Sequence, residues 1–177
     1  MKKVVILGPE STGKSTLAKK LAKHFEGCLV SEYAREYLSE IGNKYSIEDL
    51  LSIARGQVKK EIAIENKCDD EGKQIIFYDT DISVIKIWSE FKYNTCHPWI
   101  MQQFQERIYD LYLLTYPDLV WEPDPLRENP EDLRTIFDLY LKDMKNRNLN
   151  YEIIKGQGKA RTQSAIDRVS HFLNPSD

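Results

Sequence analysis

The amino-acid sequence predicts an α/β fold of three layers, a five-stranded parallel sheet with helices on both faces. Two observations predict it. Short β-rich apolar runs alternate with longer segments of helical period along the chain, the pattern of a parallel sheet whose strands are buried on both sides. A glycine-rich turn also joins the first apolar run to the first helical segment. With 177 residues, the chain is long enough for one domain with a substantial core and too short for two ordinary ones. Residues 1–177 are therefore expected to form a single domain.

The elements follow in order. Residues 4–7 are apolar, sit between Met1-Lys2-Lys3 and Gly8, and read as a first strand. The run is too short for a signal-peptide core and lacks a small-residue cleavage site. Leu17, Leu21 and Phe25, with Ala18 and Ala22, recur at helical spacing. Residues 28–30 form a second strand. A long helix through Leu50, Leu51, Ala54, Val58 and Ile62 has Ser46 as its N-cap and Asp49 in its first turn. A third strand spans 75–78, and a helix starts at Ile82. Further helices follow Pro98 and Pro130, because proline fits a first turn where no amide is needed. Strands four and five span 111–114 and 151–154, and a last helix runs through Ala165, Val169 and Phe172.

Composition narrows the function. Hydrophobic residues make up 41% and charged residues 30%, the balance of a soluble globular protein. No apolar run reaches the roughly 20 residues needed to span a bilayer, so a cytoplasmic protein without a membrane partner is expected. The 25 basic and 28 acidic residues are intermixed, with a net charge of −3, and this argues against a nucleic-acid partner. Cys28, Cys68 and Cys96 are odd in number and show no metal-ligand spacing. Neither a disulfide framework nor a zinc site is expected from them, only thiols in a reducing compartment. A homo-oligomer stays open.

Gly8-Pro9-Glu10-Ser11-Thr12-Gly13-Lys14-Ser15 matches G-x-x-x-x-G-K-[ST], the P-loop pattern, with a strand before it and a helix after it. Gly8 and Gly13 let successive backbone N–H groups turn inward on phosphate oxygens, and the new helix adds the positive end of its dipole. Gly8, Glu10, Ser11, Thr12, Gly13, Lys14, Ser15 and Thr16 are the expected nucleotide-binding residues. Lys14 would reach the β- and γ-phosphates, and the Ser15 hydroxyl would ligate Mg2+. No N/T-K-x-D guanine motif is present, which favours ATP.

Loops after the strands are where ligands bind in such sheets. Strand two runs into Ser31-Glu32-Tyr33-Ala34-Arg35-Glu36-Tyr37, and strand three into Tyr78-Asp79-Thr80-Asp81. Both bring carboxylates to the phosphate site, as phosphoryl transfer requires. Asp79 is a candidate metal ligand. Asp81 or Glu32 would accept a proton from a substrate hydroxyl, although Asp81 also suits the N-cap of the helix that follows. Arg35 would meet a phosphate or pair with Glu32, and Tyr33, Tyr37, Trp88 and Trp121 would either stack on a flat ring or pack in the core. A lid is expected at about 121–134, where proline and charge are dense and Arg127 and Arg134 flank Glu128-Asn129-Pro130. The turn Lys155-Gly156-Gln157-Gly158-Lys159-Ala160 is suited to backing onto an adenine ring.

These motifs resemble a family. Gly8 to Ser15 within GPESTGKSTLA, Glu32-Tyr33 with Arg35 and Tyr37, Asp79-Thr80-Asp81, His97-Pro98 and Trp121-x-x-Asp124-x-Leu126-Arg127 occur in the order of the ribosylnicotinamide kinase domain of bacterial bifunctional NAD-biosynthesis regulators. The resemblance covers about three quarters of the chain. It implies ATP-dependent phosphorylation of the 5′-hydroxyl of nicotinamide riboside, giving nicotinamide mononucleotide. By the same resemblance Lys14 and Ser15 are the nucleotide and metal residues, Asp79 and Asp81 lie near the riboside, and Arg127 is on the lid. Taken with the motifs above, Lys14, Asp79, Asp81 and Arg127 are expected to be catalytic, Ser15 and Asp79 to hold the metal, and Glu32, Tyr33, Arg35, Asp81, Trp121 and Asp124 to meet the substrate. Two alternatives stay open: a P-loop ATPase that regulates a partner, and a kinase of another nucleoside or small metabolite.

Overall fold

The computed structural model describes residues 1–42, 44–122, 124 and 131–175. The elements run β1 (Lys2–Leu7), α1 (Lys14–His24), β2 (Cys28–Val30), α2 (Tyr33–Ile41), α3 (Ile47–Asp70), β3 (Ile75–Asp79), α4 (Ile82–Tyr93), α5 (Pro98–Glu106), β4 (Leu111–Thr115), α6 (Leu133–Asn146), β5 (Tyr151–Ile154) and α7 (Gly158–Leu173). The five strands are all parallel, in the order β2-β3-β1-β4-β5. β1 is central, so whatever follows it opens where the strand order reverses.

Successive side chains of a strand point to opposite faces, and both faces are apolar here. In β1, Val4 and Ile6 join one buried cluster while Val5 and Leu7 join the other. Ile75 and Phe77 alternate with Ile76 and Tyr78 in the same way, as do Leu111 and Leu113 with Tyr112 and Leu114. α1 and α7 cover the first face through Leu17, Ala18, Leu21, Ala165 and Val169. The second face takes Ala34, Leu38, Leu50, Ile53, Ile85, Phe104 and Phe137 from α2 to α6. This is the three-layer arrangement the sequence predicts.

Local signals set several boundaries. At Ser46 and Asp49 a capping box forms: Asp49 N–H donates to Ser46 Oγ at 3.3 Å, and Ser46 N–H donates to Asp49 Oδ2 at 2.8 Å. Pro98 lies in the first turn of α5. Two features differ from expectation. The segment after β2 is the helix α2, which the sequence reading left without an assignment. Cys28 and Cys68, expected as thiols, are joined by a disulfide with a Cα–Cα separation of 6.1 Å, and Cys96 is free. The start of β2 and the end of α3 are brought together only by the sheet, so spacing along the chain carries no sign of this pair. Among the described residues, no helix is long and apolar enough to cross a membrane.

Candidate active site

The turn after β1 has the geometry of an anion cradle. Gly8, Ser11 and Gly13 have φ values of 138°, 56° and 76°, and this curls the backbone around its own N–H groups. A Cβ at Gly8 would approach the Thr115 carbonyl oxygen to 2.7 Å, so β4 leaves room for glycine alone. Thr12 Oγ1 donates to Pro9 O at 2.8 Å and lies 2.7 Å from Thr115 Oγ1, which in turn donates to Leu7 O at 2.9 Å. Lys14 Nζ donates to Pro9 O at 2.7 Å.

A cavity of about 480 Å³ opens over this cradle. Gly8, Glu10 and every residue from Ser11 to Thr16, the expected nucleotide-binding residues, line it. Gln157 and Gly158 of the β5–α7 turn line one end, and Glu32, Arg35, Trp88 and Tyr140 line the other. Burial pulls the Lys14 ammonium below its ordinary value, against the opposing pull of Glu32, Asp79 and Glu10. Burial likewise pushes the Glu32 carboxyl up, and although Lys14 opposes this, Asp79 reinforces it. Lys14, Glu32 and Asp79 thus form one coupled electrostatic group. Arg35 sits beside it, 3.5 Å from Glu32 and 3.1 Å from Asp124.

Asp79 ends β3, and its Oδ1 is buried with no hydrogen-bond partner among the described residues. Such an atom carries a desolvation cost that a cation would relieve. Asp79 does not line the cavity, whereas Ser15 does; a carboxylate and a hydroxyl are the kind of oxygen donors that Mg2+ takes. Among the described residues, no group of three or more His, Cys, Asp or Glu could hold a metal. The remaining positions would fall to phosphate oxygens and water, the usual arrangement for this ion.

Other expected site residues are placed differently. Asp81 is the N-cap of α4: its Oδ1 accepts from Ser83 N–H at 2.9 Å, it is buried, and it does not line the cavity. Burial pushes the Asp81 carboxyl up, against its Ser83 bonds and against Arg147 and Arg107. The Tyr33 ring does not line the cavity either; it lies on the backbone of α3 where Gly56 has no side chain. Trp121 is half-buried outside the cavity. Its neighbour Glu122 donates its backbone N–H to Ser11 Oγ at 3.0 Å, and with the Asp124–Arg35 pair this brings the start of the expected lid over the site. Arg134 belongs to α6, where it bonds Asp138 and Tyr116 rather than standing free in a lid. Arg127 lies outside the described residues.

Sequence reading missed Arg161. Its Nη1 donates to Asp118 Oδ1 at 2.7 Å and to Gly156 O at 2.9 Å, while Nη2 donates to Thr12 O at 2.9 Å and Tyr116 O at 3.0 Å. One guanidinium from α7 therefore ties the cradle to the loops after β4 and β5. Its position one turn into α7 looks like any other helical arginine, so no linear signal marks it.

A family model described as an AAA domain matches residues 3–161. The trifunctional NAD biosynthesis/regulator protein NadR of Salmonella typhimurium is 28% identical over 161 residues, which cover 86% of this chain and 38% of that protein. Its counterpart in Escherichia coli K12 is 31% identical over 131 residues, covering 70% and 30% respectively. The chain thus matches about a third of the length of these curated relatives. A crystal structure of a NadR protein in complex with NR superposes with a TM-score of 0.82 at 22% identity, over 99% of this chain and 51% of that one. Thymidylate kinase from Ehrlichia chaffeensis superposes with a TM-score of 0.69 at 13% identity, over 95% and 98%. At these identities the two superpositions establish the three-layer P-loop fold.

Proposed function

The chain belongs to the family of AAA domains, and on that premise we propose that it is an ATP- and Mg2+-dependent kinase of a small nucleoside, with nicotinamide riboside as its acceptor. One observation carries this reading: a single cavity joins the phosphate cradle to a pocket walled by Glu32, Arg35, Trp88 and Tyr140. A nucleotide switch needs only the first half of that cavity. The curated relatives carry NAD biosynthesis in their names, and a solved NadR protein holds NR, which favours the riboside. The acceptor is a pyridinium cation, and an indole face with carboxylates nearby is a favourable environment for it.

In this reading the phosphates of ATP lie in the cradle, with the backbone N–H groups on their oxygens and Lys14 reaching the β- and γ-phosphates. Lys14 exchanges its bond to Pro9 O for phosphate, which restores a full charge partner. Ser15 and Asp79 would hold Mg2+, which would supply neutralisation of phosphate charge when bound. The riboside 5′-oxygen attacks the γ-phosphorus, the bond to the β,γ-bridging oxygen breaks, and ADP leaves with that electron pair. Glu32 takes the hydroxyl proton; burial has already raised its affinity for one. Arg35, braced by Glu32 and Asp124, stands at the acceptor end of the same cavity. Asp81 acts one step back, by fixing the start of α4 and with it Val84 and Trp88 of the cavity wall.

The test is ATP consumption by the purified protein with magnesium, with and without nicotinamide riboside. Riboside-dependent turnover with one nicotinamide mononucleotide formed per ATP supports the reading. An ATP loss that the riboside leaves unchanged rejects it.

A further inference from the structure

Glu32 stands at the N-cap of α2, yet its side chain makes no capping hydrogen bond. The first turn of a helix leaves amides without partners, and an N-cap side chain ordinarily satisfies the second or third of them. The first, that of Tyr33, donates instead to Gln57 Oε1 at 2.8 Å. Gln57 lies on α3, 24 residues further along, and is 2% exposed.

Its orientation is imposed by a buried carboxylate. Gln57 Nε2 donates to Glu61 Oε1 at 3.0 Å, while Glu61 Oε2 accepts from Arg107 Nη1 at 2.7 Å and from Tyr109 Oη at 3.4 Å. The Tyr33 amide can only donate, so Gln57 turns its carbonyl towards Tyr33 and its NH2 towards Glu61. The adjacent positions of α3 grip the same turn. A Cβ at Gly56 would fall inside the Tyr33 ring, and Lys60 Nζ donates to Ser31 Oγ at 2.6 Å and pairs with Glu36. Positions 56, 57 and 60 share one face of the helix, and they hold residues on both sides of Glu32.

We propose that Gln57, oriented by Glu61, is a positioning residue of the acceptor site: it holds the first amide of α2 and so fixes the turn from which the Glu32 carboxylate faces Lys14 and the substrate hydroxyl. The inference rests on the kinase reading above and adds to it a residue that does not line the cavity. A glutamate that capped its own helix would be turned back towards the first turn. The bond from α3 holds the turn without drawing on the Glu32 carboxylate, which makes no capping bond.

Two variants test it. Gln57→Leu removes both hydrogen bonds at nearly constant volume, and Gly56→Ala displaces the Tyr33 ring without touching a buried charge. The second variant keeps the test open if the first fails to fold. Three readouts are taken on each: the KM for nicotinamide riboside, the Kd for ATP by calorimetry, and ligand-free amide hydrogen exchange of residue 33. The expected result is a riboside KM raised about tenfold and a Tyr33 amide exchanging about tenfold faster, with the ATP Kd within about twofold of wild type. An unchanged riboside KM and unchanged exchange overturn the proposal. So does a parallel loss of ATP and riboside affinity, because a general loosening of the fold would move both. If the wild type does not turn over the riboside, the kinase reading has failed on its own control. The exchange readout then decides the latch alone: acceleration confined to the β2–α2 turn upholds it, and none overturns it.

Discussion

At the phosphate end of the cavity, the bonds that shape the cradle run over short stretches of chain, from Thr12 and Lys14 back to Pro9, three and five residues away. At the acceptor end they are long. Tyr33 is held by Gln57 across 24 residues, Ser31 by Lys60 across 29, and Arg35 by Asp124 across 89. The cradle has distant braces as well, Thr115 and Arg161, but these hold a loop whose curvature its own glycines and Ser11 already define. The turn that carries Glu32 has no such local definition. It is a helix start whose first amide is held by another helix. On the proposed reading, nucleotide binding is encoded by a contiguous motif, whereas acceptor choice depends on how α2 is docked on α3.

Substitutions at the two ends should therefore separate. The largest effect is expected from Lys14→Ala, which removes the cationic donor of the cradle: kcat should fall by at least about 10²-fold, with a much smaller change in riboside KM, in a steady-state assay. Glu32→Gln removes the proton acceptor but keeps the shape, so kcat should fall about 10²-fold while the ATP Kd stays at its wild-type value. A parallel loss of ATP binding in that variant would break the comparison. Arg161→Ala should act on the nucleotide end only. It strips four bonds from a buried guanidinium and leaves three loop carbonyls and Asp118 without it, a cost of about 2 kcal/mol in urea unfolding. ATP KM should rise, and riboside KM should not.

The smallest effect on activity concerns pH. Glu61 is fully buried, and burial pushes its carboxyl up to about 7 although Arg107 and Gln57 oppose this. Between about pH 4.5 and pH 7 the folded protein then holds a proton at this site that the unfolded chain has released. Its contribution to stability is therefore full below that window and lost as pH rises through it. Chemical denaturation across the window should show a decline on the order of 3 kcal/mol that Glu61→Gln abolishes. A wild-type profile that rises with pH at this site would contradict the assignment.

The same contrast explains what could be read from the sequence. The cradle, its flanking strand and helix, the five strands and the Ser46–Asp49 cap are all local patterns, and each is where the residues place it. Glu32, Arg35 and Asp124 were legible as a cluster through their motifs, and Arg35 does join the other two. Tyr33 and Asp81 were legible only as types. A tyrosine beside a carboxylate does not reveal that Gly56 provides a seat for its ring, and an aspartate before a helix suits either a cap or a base until the fold buries it. Gln57, Arg161 and the Cys28–Cys68 bridge depend wholly on tertiary contacts, so no spacing along the chain announces them.

The most direct test of the central claim, that one cavity carries both the phosphate donor and a hydroxyl acceptor, is to follow the label from γ-32P-ATP in the presence of magnesium and nicotinamide riboside. The account predicts that the label lost from ATP appears in the 5′-phosphate of nicotinamide mononucleotide and not as inorganic phosphate. Label released as inorganic phosphate at a rate the riboside does not alter would contradict it.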